Sequence, residues 1–356
     1  MIDLRMYRMS GIGRYLQTLM PGAIPRLKAK RIRILGNPED LAHEIWANDE
    51  RIEFHQYRAP IFSIAEQVEG SRRGRSADLL WVPQYNIPLL YRKRLVVTIH
   101  DICQLAYPEL LRNNLQRWYA RYLLSAVARR ADAILCDSEF TSNEVRKYLD
   151  VDSSHLFVVY PGIDFAPAGL HNNQNPRGGK DYLLAVGNVK KHKNLLALIT
   201  AFGSIRNRIH HDLMIVGKQE GFLNAESALV NASVLMDGRV RFTGHVSDTE
   251  LLDYYRNATA LIFPSYYEGF GFPILEAMAQ GCPVACSRAA SLPEVAGEAA
   301  LYFDPFDVNS IAEALLSIVT DTNLRLRLVN AGLKQKEKFR ASICAEKTTE
   351  VINAFL

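Results

Sequence analysis

The sequence predicts an α/β protein of two domains, each built around a parallel sheet, and three observations carry that prediction. Short continuous apolar runs recur along the chain and are separated by helical patterns, which is typical of parallel strands buried on both faces. The alternation stops in residues 166–180, which are rich in Asn, Gly and Pro, and then starts again. Glycine and polar residues follow several runs, at the strand ends where such sheets bind ligands. We therefore expect two Rossmann-like domains, residues 1–165 and 181–339, facing across a deep cleft and joined by the linker 166–180.

In the first domain, each predicted strand is a short apolar run bounded by turn residues. The predicted strands are residues 2–5, 32–35, 52–54, 78–82, 95–99, 133–136 and 156–160. The predicted helices are residues 15–20, 112–130 and 142–149. His100, Ser138 and Gly162 come directly after predicted strands, so we expect them at the ligand-binding edge of the first sheet.

The second domain repeats the same alternation of apolar runs and helical patterns. Its predicted strands are residues 182–186, 213–217, 240–245, 258–263, 283–286 and 300–303. Its predicted helices are residues 195–207, a helix with an acidic start near 247, residues 274–279 and a helical tail over 310–356.

One stretch of the second domain combines a strand end, a glycine loop and a helix start. The apolar run that ends at Phe263 leads into a glycine-interrupted loop, Pro273 suits a first helical position, and Gly281 stops the helix. Such a helix start presents free backbone N–H groups and the positive end of the helix dipole, which favour a phosphate or another anion. Glu268 and Glu276 lie on either side of this loop.

Composition and charge indicate a soluble globular protein rather than a disordered one. The net charge is only +4, and it lies entirely in residues 1–165, which hold 23 Lys and Arg against 19 Asp and Glu; we expect no nucleic-acid partner. Five cysteines are scattered, which favours reduced thiols in a cytoplasmic protein. No apolar run approaches the roughly 20 residues that span a bilayer, and residues 1–5 do not resemble a secretory signal.

Residues 112–130 mix arginines with Trp118, Tyr119 and Tyr122 at helical spacing. A helix of this kind can lie on an anionic membrane surface. The more ordinary interpretation is a solvated arginine face above an aromatic core stripe. Near the start of the chain, Gly11 and Gly13 predict a glycine turn that lets the backbone approach a ligand, or simply a tight turn.

The motif around the glycine loop resembles a known family. Glu268 and Glu276 bracket Gly-Phe-Gly-Phe-Pro, and Glu-Ala-Met-Ala-x-Gly-x-Pro-Val follows; this resembles the retaining glycosyltransferases of the GT-B fold, family 4, and bacterial mannosyltransferases among them. The resemblance covers almost the full chain and is most specific in residues 261–295. Other matching pieces occur in the expected order at residues 11–15, 98–101, 137–140, 160–164, 186–194, 242–244 and 292–295.

The resemblance implies a donor site for a nucleotide-diphosphate sugar. Glu276 matches the glutamate that binds the ribose hydroxyls, and Glu268 matches the one near the donor sugar. Phe270, Gly271 and Phe272 match the loop whose backbone N–H groups meet the sugar and the distal phosphate. The alternatives are a first-turn glutamate that complements the helix dipole, for Glu276, and a plain glycine turn with core aromatics.

Lys193 matches the residue that neutralises the diphosphate leaving group, although it could also be a solvated lysine. Many relatives carry arginine where this chain has Asn188, so a second cation would have to come from Lys191, His192 or Arg14. Asn188 and Arg14 are accordingly included among the expected donor contacts.

Further contacts are implied by the resemblance alone. His100 matches a cleft histidine near the reacting sugar, although a lone histidine after a strand is usually structural. His245 matches a segment near the base that acts through its backbone. Gly11 and Gly13 match the loop that approaches the donor from the first domain. We thus expect His100, Glu268 and Lys193 to be catalytic.

The reaction implied is transfer of a hexose, preferably mannose from GDP-mannose, with retention of anomeric configuration. Both glutamates are assigned to donor binding, so front-face attack is expected rather than a carboxylate nucleophile. We expect no cofactor and no metal, because no Asp-x-Asp motif stands in a suitable context. The alternatives are another GT-B enzyme, such as a UDP-glucose or UDP-GlcNAc transferase, an epimerase or a sugar-phosphate-dependent synthase, and a non-catalytic scaffold.

The acceptor is expected to be a glycan or a lipid-linked glycan of surface polysaccharide synthesis, bound by the first domain. The basic excess of that domain suggests peripheral contact with the inner face of the cell membrane. The resemblance also implies that the C-terminal helix, about 340–356, returns to the first domain and that the linker acts as a hinge.

Overall fold

The computed structural model describes residues 1–111, 113–164, 181–217 and 237–356. The chain divides into two compact units, one formed by Met1–Asp164 with Phe339–Leu356 and the other by Phe165–Lys338. The predicted linker, residues 166–180, and Arg112 lie outside the described residues.

The first unit contains a seven-stranded sheet in which every pairing is parallel. Its order is β3-β2-β1-β4-β5-β6-β7. All seven predicted strands are present, with β1 only two residues long. The strands are β1 (Ile2–Asp3), β2 (Ile32–Gly36), β3 (Ile52–Gln56), β4 (Leu79–Val82), β5 (Arg94–Ile99), β6 (Ala133–Cys136) and β7 (Leu156–Val158).

Several α-helices of the first unit begin after a polar capping residue or with proline. Ser63 and Ser138, for example, each accept a hydrogen bond from a backbone N–H of the first turn they precede. The α-helices are α1 (Ser10–Ala23), α2 (Pro38–Leu41), α3 (Ile64–Gly74), α4 (Cys103–Ala106), α5 (Asn114–Arg130), α6 (Glu139–Leu149) and, at the end of the chain, α13 (Ala341–Ala354).

The second unit contains a six-stranded sheet that is also parallel throughout. Its order is β10-β9-β8-β11-β12-β13. The strands are β8 (Tyr182–Val186), β9 (Asp212–Val216), β10 (Val240–Gly244), β11 (Ala260–Phe263), β12 (Val284–Ser287) and β13 (Ala300–Phe303). The α-helices in its described part are α7 (Leu195–Ile205), α8 (Asp248–Asn257), α9 (Phe272–Ala279), α10 (Leu292–Ala296), α11 (Val308–Thr320) and α12 (Thr322–Gln335).

Each unit has its own buried apolar core between sheet and helices. In the first unit, strands β4 to β6 pack against α5 through residues such as Val97 and Leu124. In the second unit, β8 and β11 pack against α7 and α11 through residues such as Phe202 and Leu315. The three tryptophans of the chain, Trp46, Trp81 and Trp118, all belong to the first unit.

In each sheet, the order in which successive strands are added reverses once. The change falls between β1 and β4 in the first unit and between β8 and β11 in the second. In open parallel sheets, the loops after the strands diverge at this point and leave a crevice for ligands. The fold therefore marks one candidate binding edge in each unit.

The last helix, α13, packs against the first helix, α1. A Cβ atom on Gly22 would lie 2.8 Å from the Cβ of Ala345, so the two helices approach closely where α1 has a glycine. The Asn353 side chain accepts from the Lys28 N–H at 2.9 Å and donates to the Arg26 carbonyl at 3.1 Å. No helix among the described residues is long and apolar enough to cross a membrane.

Candidate active site

Two glycines bring the strand ends of the second sheet close together. Gly187 follows β8 and Gly217 follows β9, with φ of 145° and 153°. A Cβ on Gly217 would lie 2.1 Å from the Gly187 carbonyl oxygen, which no side chain can tolerate. This approach joins the ends of β8 and β9. On its other side β8 pairs with β11, and the strand order reverses between these two strands.

Lys193 and Glu268 meet at this point. The Lys193 Nζ lies 2.5 Å from the Glu268 Oε1, and the two side chains are only 18% and 14% exposed. The ammonium also lies 5.3 Å from the centre of the Phe263 ring, at the end of β11, where a cation is attracted by the ring face. Residues 75 positions apart are thus joined in one partly buried ion pair.

The environment of Glu268 favours its ionised form. Burial by itself would raise the pKa of the Glu268 carboxyl, but Lys193, with smaller contributions from Ser265 and His192, outweighs burial and lowers the pKa below its usual range. The site therefore holds a carboxylate and an ammonium in contact, with the ammonium able to donate three hydrogen bonds.

Backbone contacts hold the two loops that carry this pair. The Tyr266 N–H donates to the His192 carbonyl at 3.0 Å. The Ser291 hydroxyl, which precedes α10 and is fully buried, lies 2.9 Å from the Glu268 carbonyl and 2.8 Å from the Phe270 carbonyl. These contacts fix the Glu268 loop against its neighbours.

Helix α9 begins directly after this loop. Gly271 caps it with φ of 116°, and a Cβ there would lie 2.8 Å from the Leu292 side chain. The sequence predicted that Pro273 is the first residue of the helix. The helix starts at Phe272, so Pro273 is its second residue. The rings of Phe270 and Phe272 pack edge to face at 5.3 Å, with Phe270 buried.

Glu276 lies in the second turn of α9 and is 5% exposed. Its Oε2 accepts a hydrogen bond from the Tyr255 hydroxyl of α8 at 2.8 Å. Because α9 starts at Phe272, Glu276 is not in the first turn, and the alternative of a simple dipole-complementing glutamate is wrong. A buried carboxylate held by a tyrosine is suited to bind hydroxyl groups.

The other predicted donor residues of the second unit lie around this core. Asn188 follows Gly187 and is half-buried, as is His192, whereas Lys191 is exposed. His245 follows β10, two strands away from β8, and is exposed. The predicted roles of these residues stay predictions.

In the first unit, Gly11 and Gly13 do not form the predicted glycine turn. Helix α1 already begins at Ser10, so both glycines and Arg14 lie in its first turns. A Cβ on Gly13 would come within 2.7 Å of the Tyr7 carbonyl, while a Cβ on Gly11 would meet nothing within 4 Å. Close packing of the helix on the preceding loop explains Gly13, and Gly11 remains open at the surface.

His100 follows β5, as predicted, and is bound on both ring nitrogens. Nδ1 lies 2.7 Å from the Asp137 carboxylate and Nε2 lies 3.0 Å from the Pro83 carbonyl, while Tyr15 packs edge-on against the ring at 4.9 Å. Both polar partners are acceptors, so both nitrogens can donate only as imidazolium. Burial alone would lower the pKa of His100, but Asp137 and Pro83 raise it above the usual value.

Sequence reasoning missed the residues that position the predicted ones. Tyr255, Ser291 and Asp137 reach Glu276, the Glu268 loop and His100 from other elements. A polar residue directly after a strand, as at Asp137, was the one available signal. Among the residues that the structure describes, no three His, Cys, Asp or Glu side chains cluster closely enough to hold a metal ion.

Comparison with known proteins identifies the family of the chain. Residues 169–335 match the family of glycosyl transferases group 1, and residues 52–166 match glycosyltransferase family 4. The chain is 31% identical over 274 residues to the O-antigen chain mannosyltransferase B of Escherichia coli, covering 74% of this chain and 70% of that protein. It is 30% identical over 243 residues to the O-antigen chain mannosyltransferase RfbU of Salmonella typhimurium, covering 67% of this chain and 64% of that protein.

Among solved structures, the Anabaena protein HepE in complex with UDP-glucose superimposes with a TM-score of 0.80 at 16% identity, covering 99% of this chain and 98% of HepE. At that identity the likeness shows the fold, and it confirms the predicted pair of Rossmann-like sheets. The family matches and the O-antigen relatives confirm the predicted family. The chain therefore belongs to the group 1 glycosyltransferases of family 4, has the GT-B fold, and is similar to the bacterial mannosyltransferases of that family.

Proposed function

We propose that this glycosyltransferase moves mannose from GDP-mannose to a glycan or lipid-linked glycan during surface polysaccharide synthesis. The observation that carries the proposal is the Lys193–Glu268 pair beside the start of α9, at the β8/β11 switch point. An ammonium and a helix N-terminus together suit a diphosphate leaving group. The mannosyl donor is favoured by the names of the two O-antigen relatives.

In this proposal Lys193 holds the distal phosphate, Glu276 the ribose and Glu268 the sugar hydroxyls. Glu268 is ion-paired with Lys193 at 2.5 Å, which favours a binding role over attack on the anomeric carbon. We therefore propose retention by front-face attack, with the leaving phosphate accepting the acceptor's proton. No metal ion is required in the proposed reaction, because Lys193 and the helix start supply the positive charge.

The donor is tested by nucleotide release. Purified protein is incubated with GDP-mannose, UDP-glucose and UDP-GlcNAc, and the nucleoside diphosphate is measured with and without acceptor glycans. Release from GDP-mannose above the other two supports the proposal. Preferential release from a UDP-sugar would replace the donor, and release from none of the three would point to a non-catalytic scaffold.

Stereochemistry and metal dependence are tested on the same reaction. The anomeric configuration of the product is determined by NMR, and an inverted product would contradict the front-face mechanism. Activity after treatment with a chelator should equal that of the untreated protein. A strict requirement for added Mg²⁺ or Mn²⁺ would contradict charge neutralisation by Lys193.

We also propose that the protein works at the cytoplasmic face of the inner membrane and contacts it through α5. The Trp118 and Tyr122 rings of α5 are exposed and stack at 5.4 Å with an angle of 9°, and Leu115 is exposed one turn earlier. These side chains are solvated rather than packed in a core, which favours the membrane interpretation of residues 112–130. At low salt, the protein should sediment with anionic vesicles, and a Trp118→Ala variant should sediment with them to a smaller extent. If the same fraction of protein sediments with neutral vesicles, charge-assisted binding is contradicted.

A further inference from the structure

The loop between β3 and α3 holds an aromatic side chain in an unusual backbone conformation. Phe62 has φ of 65°, a left-handed conformation that bulky residues rarely adopt, and its side chain is 50% exposed. Because half of this large apolar side chain stays in solvent, its burial offsets only part of the cost of the strained backbone. Such residues persist where the surrounding structure holds them, and they are concentrated at binding sites.

A buried ion-pair network holds the Phe62 backbone in place. The Phe62 N–H donates to the Glu66 Oε2 at 2.7 Å. The Arg5 guanidinium binds the other oxygen of Glu66 at 2.7 Å and the Asp3 carboxylate at 2.6 Å. The Asn86 amide donates to the same Glu66 oxygen as Phe62, at 2.5 Å. These four polar side chains are nearly inaccessible to solvent.

The network lies at the switch point of the first sheet. Asp3 ends β1 and Asn86 follows β4, and these two strands are the neighbours between which the strand order reverses. This is the crevice in which an open parallel sheet binds a ligand. The predicted donor contacts of the second unit are at its own switch point, so the first unit offers this edge to a second ligand.

Two tyrosines flank the Phe62 ring. The Tyr85 ring lies 6.0 Å from it, tilted by 35°, and the Tyr119 ring lies 6.2 Å from it, nearly perpendicular at 83°. Burial raises the pKa of both phenols, so both keep their O–H donors at neutral pH. The result is an apolar ring face bordered by groups that can hydrogen-bond.

Asn86 adds an unpaired acceptor to this cluster. Its Oδ1 is buried and has no hydrogen-bond partner among the described residues, while the amide nitrogen of the same side chain binds Glu66. A buried acceptor without a donor is costly, and most such groups in proteins are paired. A hydroxyl donor would satisfy it.

We propose that Phe62 is the stacking platform for a sugar ring of the acceptor glycan, with the hydroxyls of that sugar bound by Tyr85, Tyr119 and the Asn86 amide. A sugar ring presents C–H groups on its face, which suit the electron-rich face of an aromatic ring, and hydroxyls at its rim. This inference rests on the proposed transferase function and assigns the acceptor subsite within the first unit. A lipid surface would use the exposed ring but not the unpaired amide or the strained backbone.

The test uses the full-length protein with GDP-mannose and the methyl glycosides of mannose, glucose, galactose and N-acetylglucosamine as acceptors. Variants Phe62→Ala, Phe62→Trp and Phe62→Gly are compared. Phe62→Gly also removes the ring but tolerates the backbone conformation, because glycine adopts φ of 65° without strain. It therefore shows whether an effect of Phe62→Ala comes from misfolding. Ile64→Ala is the matched control, since Ile64 is exposed two residues away and has no part in the proposed subsite.

The expected result is that the acceptor KM rises about tenfold in Phe62→Ala and Phe62→Gly, as loss of one aromatic stacking contact implies. Phe62→Trp should stay within about threefold of the unaltered protein because it keeps a ring. Ile64→Ala should be unchanged. Equal acceptor KM values in all variants would overturn the subsite. So would an unaltered protein that releases GDP from GDP-mannose but accepts no methyl glycoside.

Two further measurements separate the alternatives. Release of GDP from GDP-mannose without acceptor reports the donor reaction, so its absence in the unaltered protein would count against the proposed function rather than the subsite. Octyl mannoside is compared with methyl mannoside. If Phe62→Ala and Ile64→Ala raise the KM only for the octyl glycoside, and by the same factor, then Phe62 contacts lipid and the proposal is wrong.

Discussion

The Lys193–Glu268 pair is the residue-scale feature on which both stability and activity should depend. In Lys193→Ala, the Glu268 carboxylate loses its partner while it stays largely buried. Removing one partner of a buried pair costs about 3 kcal/mol, and losing a cation at a developing negative charge costs about 10²–10³ in turnover. Urea denaturation and GDP release measure the two effects. Lys190→Ala, at an exposed lysine three residues away, is the control and should show neither.

His100 should make stability depend on pH in a defined direction. Its pKa is raised in the folded protein, so protonation stabilises the fold. The contribution is complete below the ordinary histidine pKa of 6.5 and is lost as the pH rises through the folded value. Between pH 6 and pH 9 the unaltered protein should lose more stability than His100→Asn, as measured by urea denaturation.

The groups that face His100 are Asp137, Asp101 and the Pro83 carbonyl. His245, which follows β10, is exposed, so His245→Asn serves as the control and should follow the unaltered protein. Parallel pH dependence in His100→Asn and the unaltered protein would show that His100 is not held as imidazolium.

The candidate site could be predicted from the sequence only as separate residues. Glu268, Glu276 and Lys193 were recognisable because each stands in a local motif. Their partners were not, because Tyr255 approaches Glu276 from 21 residues away and Ser291 reaches the Glu268 loop from 23 residues away. Contacts of this kind follow from tertiary packing, which local patterns do not encode.

At the scale of elements, the two glycines at the start of α1 should respond in opposite ways to alanine. Gly11→Ala places a methyl group in open space on a helix and should stabilise the protein by about 0.5–1 kcal/mol. Gly13→Ala places one 2.7 Å from the Tyr7 carbonyl and should destabilise it by about 1–3 kcal/mol. Urea denaturation of both variants checks the pair, and equal shifts would contradict the packing described.

The strands were predicted well because apolar runs between turn residues are local signals. The prediction of a glycine turn at residues 10–13 was wrong. A pair of glycines is typical both of a turn and of a tightly packed helix start, so the pair alone does not distinguish them. What distinguishes them is the Tyr7 carbonyl pressed against Gly13. That contact depends on the fold of residues 4–9, which the sequence pattern left unspecified.

At the scale of the whole molecule, the tryptophans allow the two units to be followed separately. Because all three lie in the first unit, fluorescence reports its unfolding, while circular dichroism reports both units. GDP at about 100 times its Kd should stabilise the second unit by about 2.7 kcal/mol, which raises its midpoint by about 5–10 °C. The fluorescence midpoint should shift much less. Identical shifts in both signals would show that the units unfold as one.

The position of α13 also has a consequence for biosynthesis. The chain leaves the first unit after Asp164 and returns to it only at Phe339, and α13 then covers one face of α1. During synthesis, more than three hundred residues are added after α1 before α13, which covers its buried face, emerges from the ribosome. The first unit is therefore the first to be made and the last to be completed, and a nascent chain that stops short of Ala341 should be retained by chaperones rather than released as a folded intermediate.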